Sequence, residues 1–385
     1  MELMNTQITK SLENIRDIIE YCKRCGLCLP YCPIYEVSKR LETISPRGKL
    51  LLTFGILTRS LRIRQRTAEL LFSCTLCNRC AQACPAGINI SDALLHTRIM
   101  LFEKGFIPRI ISKIASNMNS QKNPYGVDLS SKNFWFDFTS ERIESKGNVV
   151  IWMGCTTALK QPELAAHVYE VVKRFEKSAA VIDNEPCCGI PLLYAGDLRG
   201  YYNSLKEALK AISTANANLV ITPCPSCLRA FRQFPQMLNI KIPFKVMHIT
   251  EYLWEKIVKR KSIRLRYDYE IFVTYHDPCE LARHMNIYKE PRELLRSIVN
   301  VSLVEMSNSG ANSKCCGGGG LYMGFDFDKA LAIALLRLHD VPKDIEILVT
   351  ACPTCESMLS AAIDSSGRTL KIIDVVDIIH EILFS

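Results

Sequence analysis

The amino-acid sequence predicts an α+β multidomain protein. An α-helical N-terminal domain precedes two repeated α/β domains, each built on a parallel sheet. Three observations predict this arrangement: a cysteine motif that occurs twice in the first hundred residues, a repeat of cysteine-bearing segments after residue 146, and short β-branched runs that alternate with helical segments in each copy. The 385 residues, 48% of them hydrophobic, are enough for several buried cores.

The N-terminal domain contains the motif C-x2-C-x2-C-x3-C-P in two copies. Its cysteines are Cys22, Cys25, Cys28 and Cys32 in the first copy and Cys74, Cys77, Cys80 and Cys84 in the second. In this arrangement three cysteines of one copy bind a 4Fe-4S cubane, and the fourth binds the cubane of the other copy. The predicted ligand sets are therefore Cys22, Cys25, Cys28 and Cys84 for one cubane, and Cys74, Cys77, Cys80 and Cys32 for the other. Together they indicate an α-helical two-cluster ferredoxin over residues 1–100.

Zinc is the alternative occupant of these sites, because four thiolates also form a closed tetrahedral zinc site. Zinc sites seldom need a fourth cysteine three residues on and followed by proline, so the spacing favours iron and sulfide. Helices are expected around the motifs, with Ser45 as an N-cap and Pro46 at the first helical position. Another helix is predicted from the helical spacing of Leu12, Ile15, Ile18 and Ile19.

Residues 101–145 are predicted to be a connector. Its segment FIPRIISKIASNMNS has the pattern of an amphipathic basic helix, which QKNPYG ends with turn-forming residues. Basic residues also dominate between Lys39 and Arg66, within a formal net charge of +9. Both segments are candidates for contact with anionic lipid, and the basic stretch also for contact with an acidic partner, whereas packing in the core and a solvated helix face are the plainer interpretations.

The cysteines and the first residues of the chain indicate in which cellular compartment the protein is expected. The first residues lack the basic, apolar and small-residue layout of a secretory signal, and a long chain with C-x2-C spacing binds metal more often than it forms disulfides. No apolar run reaches the roughly 18 to 20 residues that cross a bilayer. We expect a cytoplasmic protein, with peripheral attachment to the cytoplasmic face of the membrane as an open alternative. No nucleic-acid-binding motif accompanies the positive charge.

From about residue 146 the chain repeats itself. NLVITPCPSC, which ends at Cys227, aligns with EILVTACPTC, which ends at Cys355, and CCGIPLLYAG aligns with CCGGGGLYMG at the same offset. The first copy is predicted over 146–258 and the second over 269–385, with the basic stretch 259–268 as a solvated linker. Each copy has strand-like runs that end in cysteine. A parallel sheet would bring these cysteines together at the edge where open α/β sheets bind ligands.

Each copy contributes a single cysteine, a vicinal pair and a C-x2-C motif. The predicted metal ligands are Cys155, Cys187, Cys188, Cys224 and Cys227 in the first copy and Cys279, Cys315, Cys316, Cys352 and Cys355 in the second. Five thiolates are one more than a cubane binds, so either one cysteine of each set stays free or the cluster is larger and unusual. The glycines that follow Cys316 are expected to let the turn close over bound metal.

The two cubane motifs, together with NPYG, TYHDPC, CCGGGG and CPTC, make the chain resemble proteins that fuse a two-cluster ferredoxin to paired cysteine-rich CCG domains. These are the D subunit of heterodisulfide reductase, the iron-sulfur subunit of glycolate oxidase, and the C subunit of anaerobic glycerol-3-phosphate dehydrogenase. The resemblance implies that a complete five-cysteine set holds a non-cubane 4Fe-4S cluster. The chain would then bind two 4Fe-4S cubane clusters and one or two non-cubane 4Fe-4S clusters in its CCG domains.

Two functions follow from the resemblance. The first is an oxidoreductase subunit of the heterodisulfide reductase type, which passes electrons between the cubanes and the CCG clusters and splits a disulfide by successive one-electron transfers. The alternative is an iron-sulfur relay subunit of a flavin-dependent glycolate, lactate or glycerol-3-phosphate dehydrogenase that delivers electrons to quinone. The chain has no G-x-G-x-x-G motif. A flavoprotein dehydrogenase or another electron-carrying subunit is therefore the expected partner, with a membrane subunit as a further candidate.

His276 is the candidate catalytic residue. It lies three residues before Cys279, where it would be able to donate a proton to a thiolate product. A histidine that is hydrogen-bonded at the end of a strand is the plainer interpretation, because the first copy has Trp152 at the corresponding position.

Two further pairs occur near the cysteines. Arg283 and His284 are candidates for binding an anion, and the polarity of a surface helix explains them equally well. Tyr194 and Tyr322 occupy matching places after the vicinal cysteines, and we expect both to pack in the core.

Overall fold

The structure is a computed structural model that describes residue 13 and residues 15–385. Its N-terminal part is helical, as predicted. The helices are residues 15–21 (α1), Pro33–Val37 (α2), Pro46–Leu57 (α3), Gln65–Phe72 (α4), Arg79–Gln82 (α5) and Ile90–Glu103 (α6), with 3₁₀ turns at Leu29–Tyr31 and Glu42–Ile44. Ile15 and Ile19 on α1 are buried. Leu12, predicted on the same face, lies outside the described residues.

Helix α3 begins as the sequence predicts. Ser45 is its N-cap, and the side-chain oxygen accepts a hydrogen bond from the Gly48 amide at 2.9 Å. Pro46 occupies the first helical position, where a missing amide proton costs nothing. The helix carries Lys49, whose side chain is buried. Part of the predicted basic surface is therefore turned inward.

The connector contains helix α7 (Arg109–Gln121) and a 3₁₀ segment at Leu129–Phe138. Asn123 holds the turn between them, because its buried side-chain amide donates to the Val127 carbonyl at 2.7 Å. One side of α7 packs in the core at Ile111, Ala115 and Met118. Within residues 15–385, no helix combines the length and the apolar character needed to span a membrane.

Each repeat is a four-stranded parallel sheet with helices packed against it, which confirms the predicted fold class. The strands of the first repeat are Val149–Ile151 (β1), Ala179–Val181 (β2), Leu219–Thr222 (β3) and Lys245–His248 (β4), in the order β2-β1-β3-β4. Those of the second repeat are Arg266–Tyr275 (β5), Val299–Leu303 (β6), Ile347–Thr350 (β7) and Lys371–Asp374 (β8), in the order β6-β5-β7-β8. All neighbouring strands pair in parallel. The carboxyl ends of the strands therefore share one edge in each sheet.

Helices connect the strands in both repeats. The helices of the first repeat are Cys155–Lys160 (α8), Pro162–Phe175 (α9), Ile190–Ala195 (α10), Leu198–Thr214 (α11), Pro225–Arg232 (α12) and Ile249–Leu253 (α13). Helix α13 continues as a π-helical turn over Trp254–Lys259. A 3₁₀ turn spans Phe234–Leu238. The second repeat has Ala282–Met285 (α14), Lys289–Ser297 (α15), Tyr322–Phe325 (α16), Phe327–Leu338 (α17), Pro353–Ser366 (α18) and Val375–Phe384 (α19), with a 3₁₀ turn at Gly310–Asn312.

The segment 259–268, predicted as a solvated linker, is only partly one. Strand β5 begins inside it at Arg266, and the side chains of Leu265 and Tyr267 are buried. The basic residues before the strand mask its start, because exposed Arg266 and Asp268 alternate with buried Tyr267 as in a half-buried strand.

The two repeats exchange helix contacts. Helix α19 of the second repeat packs on α9 of the first, where the rings of His167 and His380 stack with centroids 3.8 Å apart. His167 also pairs with Asp377 at 2.8 Å. In the matching place, α15 of the second repeat packs on the π-helical turn after α13, and Trp254 donates to Glu293 at 2.6 Å. The repeats are therefore interlocked on both sides.

Arg98 joins the N-terminal domain to both repeats. It lies on α6, is fully buried, and donates to four backbone carbonyls. The acceptors are Phe72 at 2.9 Å, Cys74 at 2.7 Å, Tyr194 at 3.0 Å and Gly320 at 2.9 Å. Because these carbonyls belong to all three parts of the chain, Arg98 fixes the positions of the domains relative to one another.

Replacing Arg98 should destabilise the whole assembly. The Arg98→Met variant removes the Arg98 hydrogen bonds to four backbone carbonyls, which we expect to cost about 3 to 5 kcal/mol of unfolding free energy. The midpoint of urea unfolding, followed by circular dichroism, measures the loss. Arg66→Met is the matched control, since the Arg66 side chain is 78% exposed and pairs with Glu69 at 3.2 Å. Equal midpoints for the two variants would contradict the role given to Arg98.

Candidate metal centres

Two cavities in the N-terminal domain are each lined by four cysteines. One is lined by Cys22, Cys25, Cys28 and Cys84, and the other by Cys32, Cys74, Cys77 and Cys80. These are the sets that the crossed motif predicts. The 3₁₀ turn at Leu29–Tyr31 and Pro33 at the start of α2 carry Cys32 away from the three cysteines before it. Each cavity thus offers the four thiols that a cubane requires.

Cations lie beside both cavities. Arg47 lines the first and donates to the Arg24 carbonyl at 3.0 Å, and the buried Lys49 lines the second. Burial raises the pKa of Cys28 and that of Cys32 to about 11. These thiols therefore keep their protons unless a metal replaces them. The donor set and its neighbours fit a buried cluster whose negative charge is balanced by Arg47 and Lys49.

The five cysteines of the first repeat gather at the carboxyl edge of its sheet. Cys155 begins α8 after β1, while Cys224 and Cys227 lie at the start of α12 after β3. The vicinal pair lies in the loop between β2 and α10, so it is close to the edge without directly ending a strand. The buried thiols contact one another, because Cys155 is hydrogen-bonded to Cys187, and Cys188 to Cys227.

The second repeat gathers its five cysteines in the same way. The Sγ atoms of Cys355 and Cys316 lie 3.2 Å apart, Cys279 is hydrogen-bonded to Cys315, and Cys352 is the N-cap of α18. All eighteen cysteines are described, and none forms a disulfide, in which the sulfurs would be about 2 Å apart. Two groups of five buried, unbridged thiols are soft donor sets that fit iron-sulfur clusters.

The two five-cysteine sets face one cleft between the repeats. Every cysteine of the ten lines it except Cys315. The cleft has a volume of about 400 Å³, which suits a small molecule. Helix α7 closes one side through Ile110 and Ile114, and Tyr125 and Met323 also line the wall. The connector thus provides part of the cleft as well as joining the domains.

A buried ion pair joins the repeats at the cleft. Arg229 of the first repeat donates to Glu280 of the second at 2.6 Å, and the Tyr194 hydroxyl donates to Glu280 at 2.8 Å. Although burial opposes it, the Arg229 guanidinium holds the pKa of Glu280 below its ordinary value. Tyr194 and Glu280 both line the cleft. Tyr194 is buried as expected, yet it also supplies a hydroxyl group to the cleft wall.

Cys315 lies against the N-terminal domain instead of lining the cleft. Its thiol lies close enough to that of Cys77, a member of the second four-cysteine set, to raise the pKa of Cys77. Arg283 fixes this contact, since its Nε donates to the Cys77 carbonyl at 2.7 Å, and the ring of His284 lies 2.9 Å from the Leu76 carbonyl. Arg283 and His284 were candidates for binding an anion. In the structure, both side chains bind backbone carbonyls of the N-terminal domain instead.

Gly319 and Gly320 allow a second contact at the same junction. A Cβ atom at Gly319 would lie 2.6 Å from the Thr75 carbonyl oxygen, and one at Gly320 would lie 2.8 Å from the Cys74 carbonyl oxygen. Gly317 acts differently, because its amide donates to the sulfur two residues before it at 3.3 Å. Gly319 and Gly320 thus make room for the cysteine loop of the N-terminal domain, and the expectation that the glycines let a turn close over bound metal stays a prediction.

A buried ion pair supports the first five-cysteine set. Lys132 of the connector lies 2.8 Å from Glu185, whose carboxylate also accepts the Gly154 amide at 2.9 Å. That amide belongs to the loop that carries Cys155. Lys132 interacts electrostatically with Cys155 and Cys187, so it places a positive charge beside the thiols of this set.

His276 is buried behind the second set and does not line the cleft. Its Nδ1 accepts a hydrogen bond from Arg337 Nε at 3.0 Å, and a ring nitrogen lies within 4.8 Å of the Cys316 and Cys355 sulfurs. Burial and the Arg337 guanidinium lower the pKa of His276 well below its ordinary value. The donation of a proton by His276 to a thiolate product stays a prediction.

Sequence reasoning missed Arg98, Lys132 and Glu280. Each is a single charged residue without a motif, and each finds its partners far along the chain. Only Arg98 carried a usable signal, because it stands inside the apolar run ALLHTRIMLF, where a charged residue needs partners.

Two family profiles match the sequence. A 4Fe-4S dicluster domain matches residues 18–88, and a cysteine-rich domain matches residues 149–232 and again residues 273–360. The first range contains both four-cysteine sets, and the second and third ranges each contain one five-cysteine set.

Three relatives show similar coverage of this chain. The D subunit of the dihydromethanophenazine:CoB--CoM heterodisulfide reductase of Methanosarcina acetivorans is 30% identical over 400 residues, which is 97% of each chain. The B subunit of the fumarate reductase (CoM/CoB) of Methanothermobacter marburgensis is 26% identical over 93% of this chain and 72% of its own. The EtfAB:quinone oxidoreductase of Syntrophomonas wolfei is 24% identical over 96% of this chain and 60% of its own. The similarity therefore spans the whole arrangement of domains.

The junction between Cys77 and Cys315 should be sensitive to one methyl group. In the Gly319→Ala variant, the new Cβ would collide with the Thr75 carbonyl oxygen, and we expect overpacking to cost about 1 to 3 kcal/mol and to push the two thiols apart. Stopped-flow reduction of the loaded protein should then show slower electron passage from the N-terminal domain to the repeats, with all iron retained. Gly367→Ala is the control: its φ of +66° strains an alanine at the end of α18, but a Cβ there meets no atom within 4 Å, so electron passage should not change. Unchanged kinetics in Gly319→Ala would refute the role of the junction.

Proposed function

Because the chain belongs to the family of the D subunit of heterodisulfide reductase, we propose that it is the iron-sulfur electron-transfer subunit of a heterodisulfide-reductase-like complex. In this proposal a disulfide is reduced in the cleft between the repeats. The observation that carries the proposal is the shared cleft, which every cysteine of the two five-cysteine sets lines except Cys315, while Cys315 contacts Cys77 of the N-terminal domain. Space for a substrate and a route for electrons thus meet at the same thiols.

The cofactors follow from the four thiol sets. Two 4Fe-4S cubanes would occupy the N-terminal cavities, and one or both five-cysteine sets would hold a non-cubane 4Fe-4S cluster. When bound, these clusters would supply electrons one at a time. We place the protein in the cytoplasm, where unbridged thiols remain reduced and available for cluster binding.

The positions of the sets suggest an order for electron flow. The set that includes Cys77 adjoins the second repeat. Electrons from a partner would therefore enter the protein at the other four-cysteine set, which includes Cys25. Cys25 is exposed, and the nearby Tyr21 and Leu27 are 68% and 56% exposed. Exposed apolar side chains beside an accessible cysteine suit contact with a partner subunit. We propose a flavoprotein or another electron-carrying subunit as that partner, with a membrane subunit as a further member of the complex.

The reaction needs a balanced supply of electrons and protons. A disulfide R-S-S-R′ takes up two electrons from the partner's reductant and two protons from water, its S-S bond breaks, and the thiols R-SH and R′-SH leave. Ile110, Ile114 and Met323 give the cleft an apolar wall that limits access of water. Tyr194 and Glu280 give it a polar wall, where a hydroxyl group is held in place by a carboxylate.

An electron relay is the second candidate function. The similarity to the EtfAB:quinone oxidoreductase of Syntrophomonas wolfei favours it. In this function the five-cysteine sets pass electrons onward toward quinone, and no substrate occupies the cleft. The two functions therefore differ in whether turnover depends on space in the cleft.

Metal analysis tests the cofactor assignment. Anaerobically purified protein should contain about 12 to 16 iron atoms per chain, because each of three or four clusters holds about four. The Cys315→Ser variant should lose about four of them, together with one paramagnetic resonance signal, and should keep both cubane signals. About eight irons in the unmodified protein would limit the clusters to the N-terminal domain, and zinc without iron would contradict the assignment altogether.

Narrowing the cleft distinguishes the two functions. Ile110 is 38% exposed at the cleft, so the Ile110→Trp variant should fold and load clusters while its indole group occupies space that a substrate needs. We expect disulfide reduction to fall by about tenfold or more, with unchanged cluster signals. Asn119→Trp, exposed on the same helix and outside the cleft lining, is the control. Two results together would favour the relay. The unmodified protein would show no disulfide turnover, and Ile110→Trp would still transfer electrons to quinone.

A further inference from the structure

The second repeat holds a buried polar atom for which the described residues provide no partner. His276 is 1% exposed, and its Nε2 has no hydrogen-bond partner within the described part of the chain. Leaving such a group unsatisfied costs about 1 to 3 kcal/mol, so its presence calls for an explanation. A ring nitrogen of His276 lies within 4.8 Å of the sulfurs of Cys316 and Cys355. Because Nδ1 is occupied by Arg337, Nε2 is the nitrogen left for these sulfurs.

Arg337 decides where the ring proton lies. Its Nε can only donate a hydrogen bond, and it donates to His276 Nδ1 at 3.0 Å. Nδ1 must therefore present a lone pair, which excludes both the imidazolium form and the neutral form protonated at Nδ1. The ring proton is then on Nε2, so His276 presents an N-H donor to the sulfurs.

A network of charged residues holds Arg337 in this orientation. Its Nη1 donates to Asp340 at 2.8 Å and to the Asn308 carbonyl at 2.7 Å. Asp340 also accepts from Lys314 at 2.7 Å. Lys314 directly precedes the vicinal cysteines, so the group that selects the proton position is anchored to the segment that carries the thiols.

The same hydrogen bond argues against His276 as a metal ligand. The three ligand atoms of His276, Cys316 and Cys355 are close enough together to hold a metal ion. A metal-bound histidine, however, normally donates its second N-H to a carboxylate, a carbonyl or water. Here the second nitrogen accepts from a guanidinium, which is the opposite arrangement. Ligation through Nε2 would require a fully deprotonated ring.

We propose that His276 tunes the cluster of the second five-cysteine set, by donating a hydrogen bond from Nε2-H to one of its sulfur atoms. This inference rests on the proposed function, because it requires that set to hold a cluster. Hydrogen bonds to sulfur favour the reduced, more negative state and so raise the reduction potential. The first repeat has Trp152 at the corresponding position.

Three variants of the full-length, cluster-loaded protein test this role. In His276→Asn, the side-chain oxygen can still accept from Arg337, but no donor reaches the sulfurs. In His276→Gln, the longer side chain restores a donor near the position of Nε2. Trp152→Phe is the matched control, because it removes an indole N-H from the other repeat. Redox titration followed by paramagnetic resonance gives the potential of each cluster, and the signal lost in Cys315→Ser identifies the second set.

We expect His276→Asn to lower the potential of the second-set signal and to leave the cubane signals unchanged. A tenfold change in the reduction equilibrium corresponds to about 59 mV for a one-electron couple, and a shift of that order is the expected result. His276→Gln should recover most of the shift, and Trp152→Phe should leave the second-set potential where it is. A purely structural role would weaken the signal without moving its potential and would not be rescued by glutamine.

Two outcomes overturn the inference while leaving the proposed function intact. One is an unshifted second-set potential in His276→Asn. The other is a strong magnetic coupling between a histidine nitrogen and the second-set cluster in unmodified, ¹⁵N-histidine-labelled protein, which would indicate direct ligation. The lack of the second-set signal alone in the unmodified protein would also overturn the inference, whereas the lack of a signal from both five-cysteine sets would contradict the proposed function.

Discussion

Burial opposes the loss of a thiol's proton unless a metal, a nearby cation or hydrogen bonds stabilise the thiolate, and several cations of this structure lie where they can do so. The thiols of Cys28 and Cys32 have raised pKa values because they are buried. Arg47 and Lys49 stand beside the two N-terminal cavities, and Lys132 stands beside the first five-cysteine set. These cations come from helix α3 and from the connector. Segments without cysteines are therefore part of the metal sites, and the connector does more than link two domains.

Electron flow between separate thiol sets requires fixed distances, and backbone contacts provide them here. Arg98 and Arg283 bind carbonyl oxygens, not side chains, so they hold the course of the main chain around Cys74 and Cys77. Gly319 and Gly320 permit this close approach by leaving out Cβ atoms. A hydrogen bond to a buried carbonyl also resists salt better than an exposed ion pair. The junction between the domains thus resembles the interior of a domain, because it is held by buried hydrogen bonds to the main chain and by close backbone contacts.

The sequence predicted those features that depend on local spacing. The crossed cysteine motif placed each N-terminal cysteine with the three neighbours that line its cavity, and the β-branched runs predicted two parallel sheets. The shared cleft could not be predicted from the sequence, because it depends on how the two repeats pack against each other. The start of β5 at Arg266 was hidden by flanking basic residues. The tautomer of His276 depends on Arg337, which lies sixty-one positions away in sequence, and no local pattern links the two residues.

The packing of helices from one repeat on those of the other affects the order in which the protein can assemble during translation. Helix α9 packs against α19, which the ribosome produces long after the first repeat has emerged. The second repeat also supplies half of the cleft wall. During translation the first five cysteines therefore emerge before the segments of the second repeat that form the facing wall of their cleft, and they are enclosed only when that wall has formed.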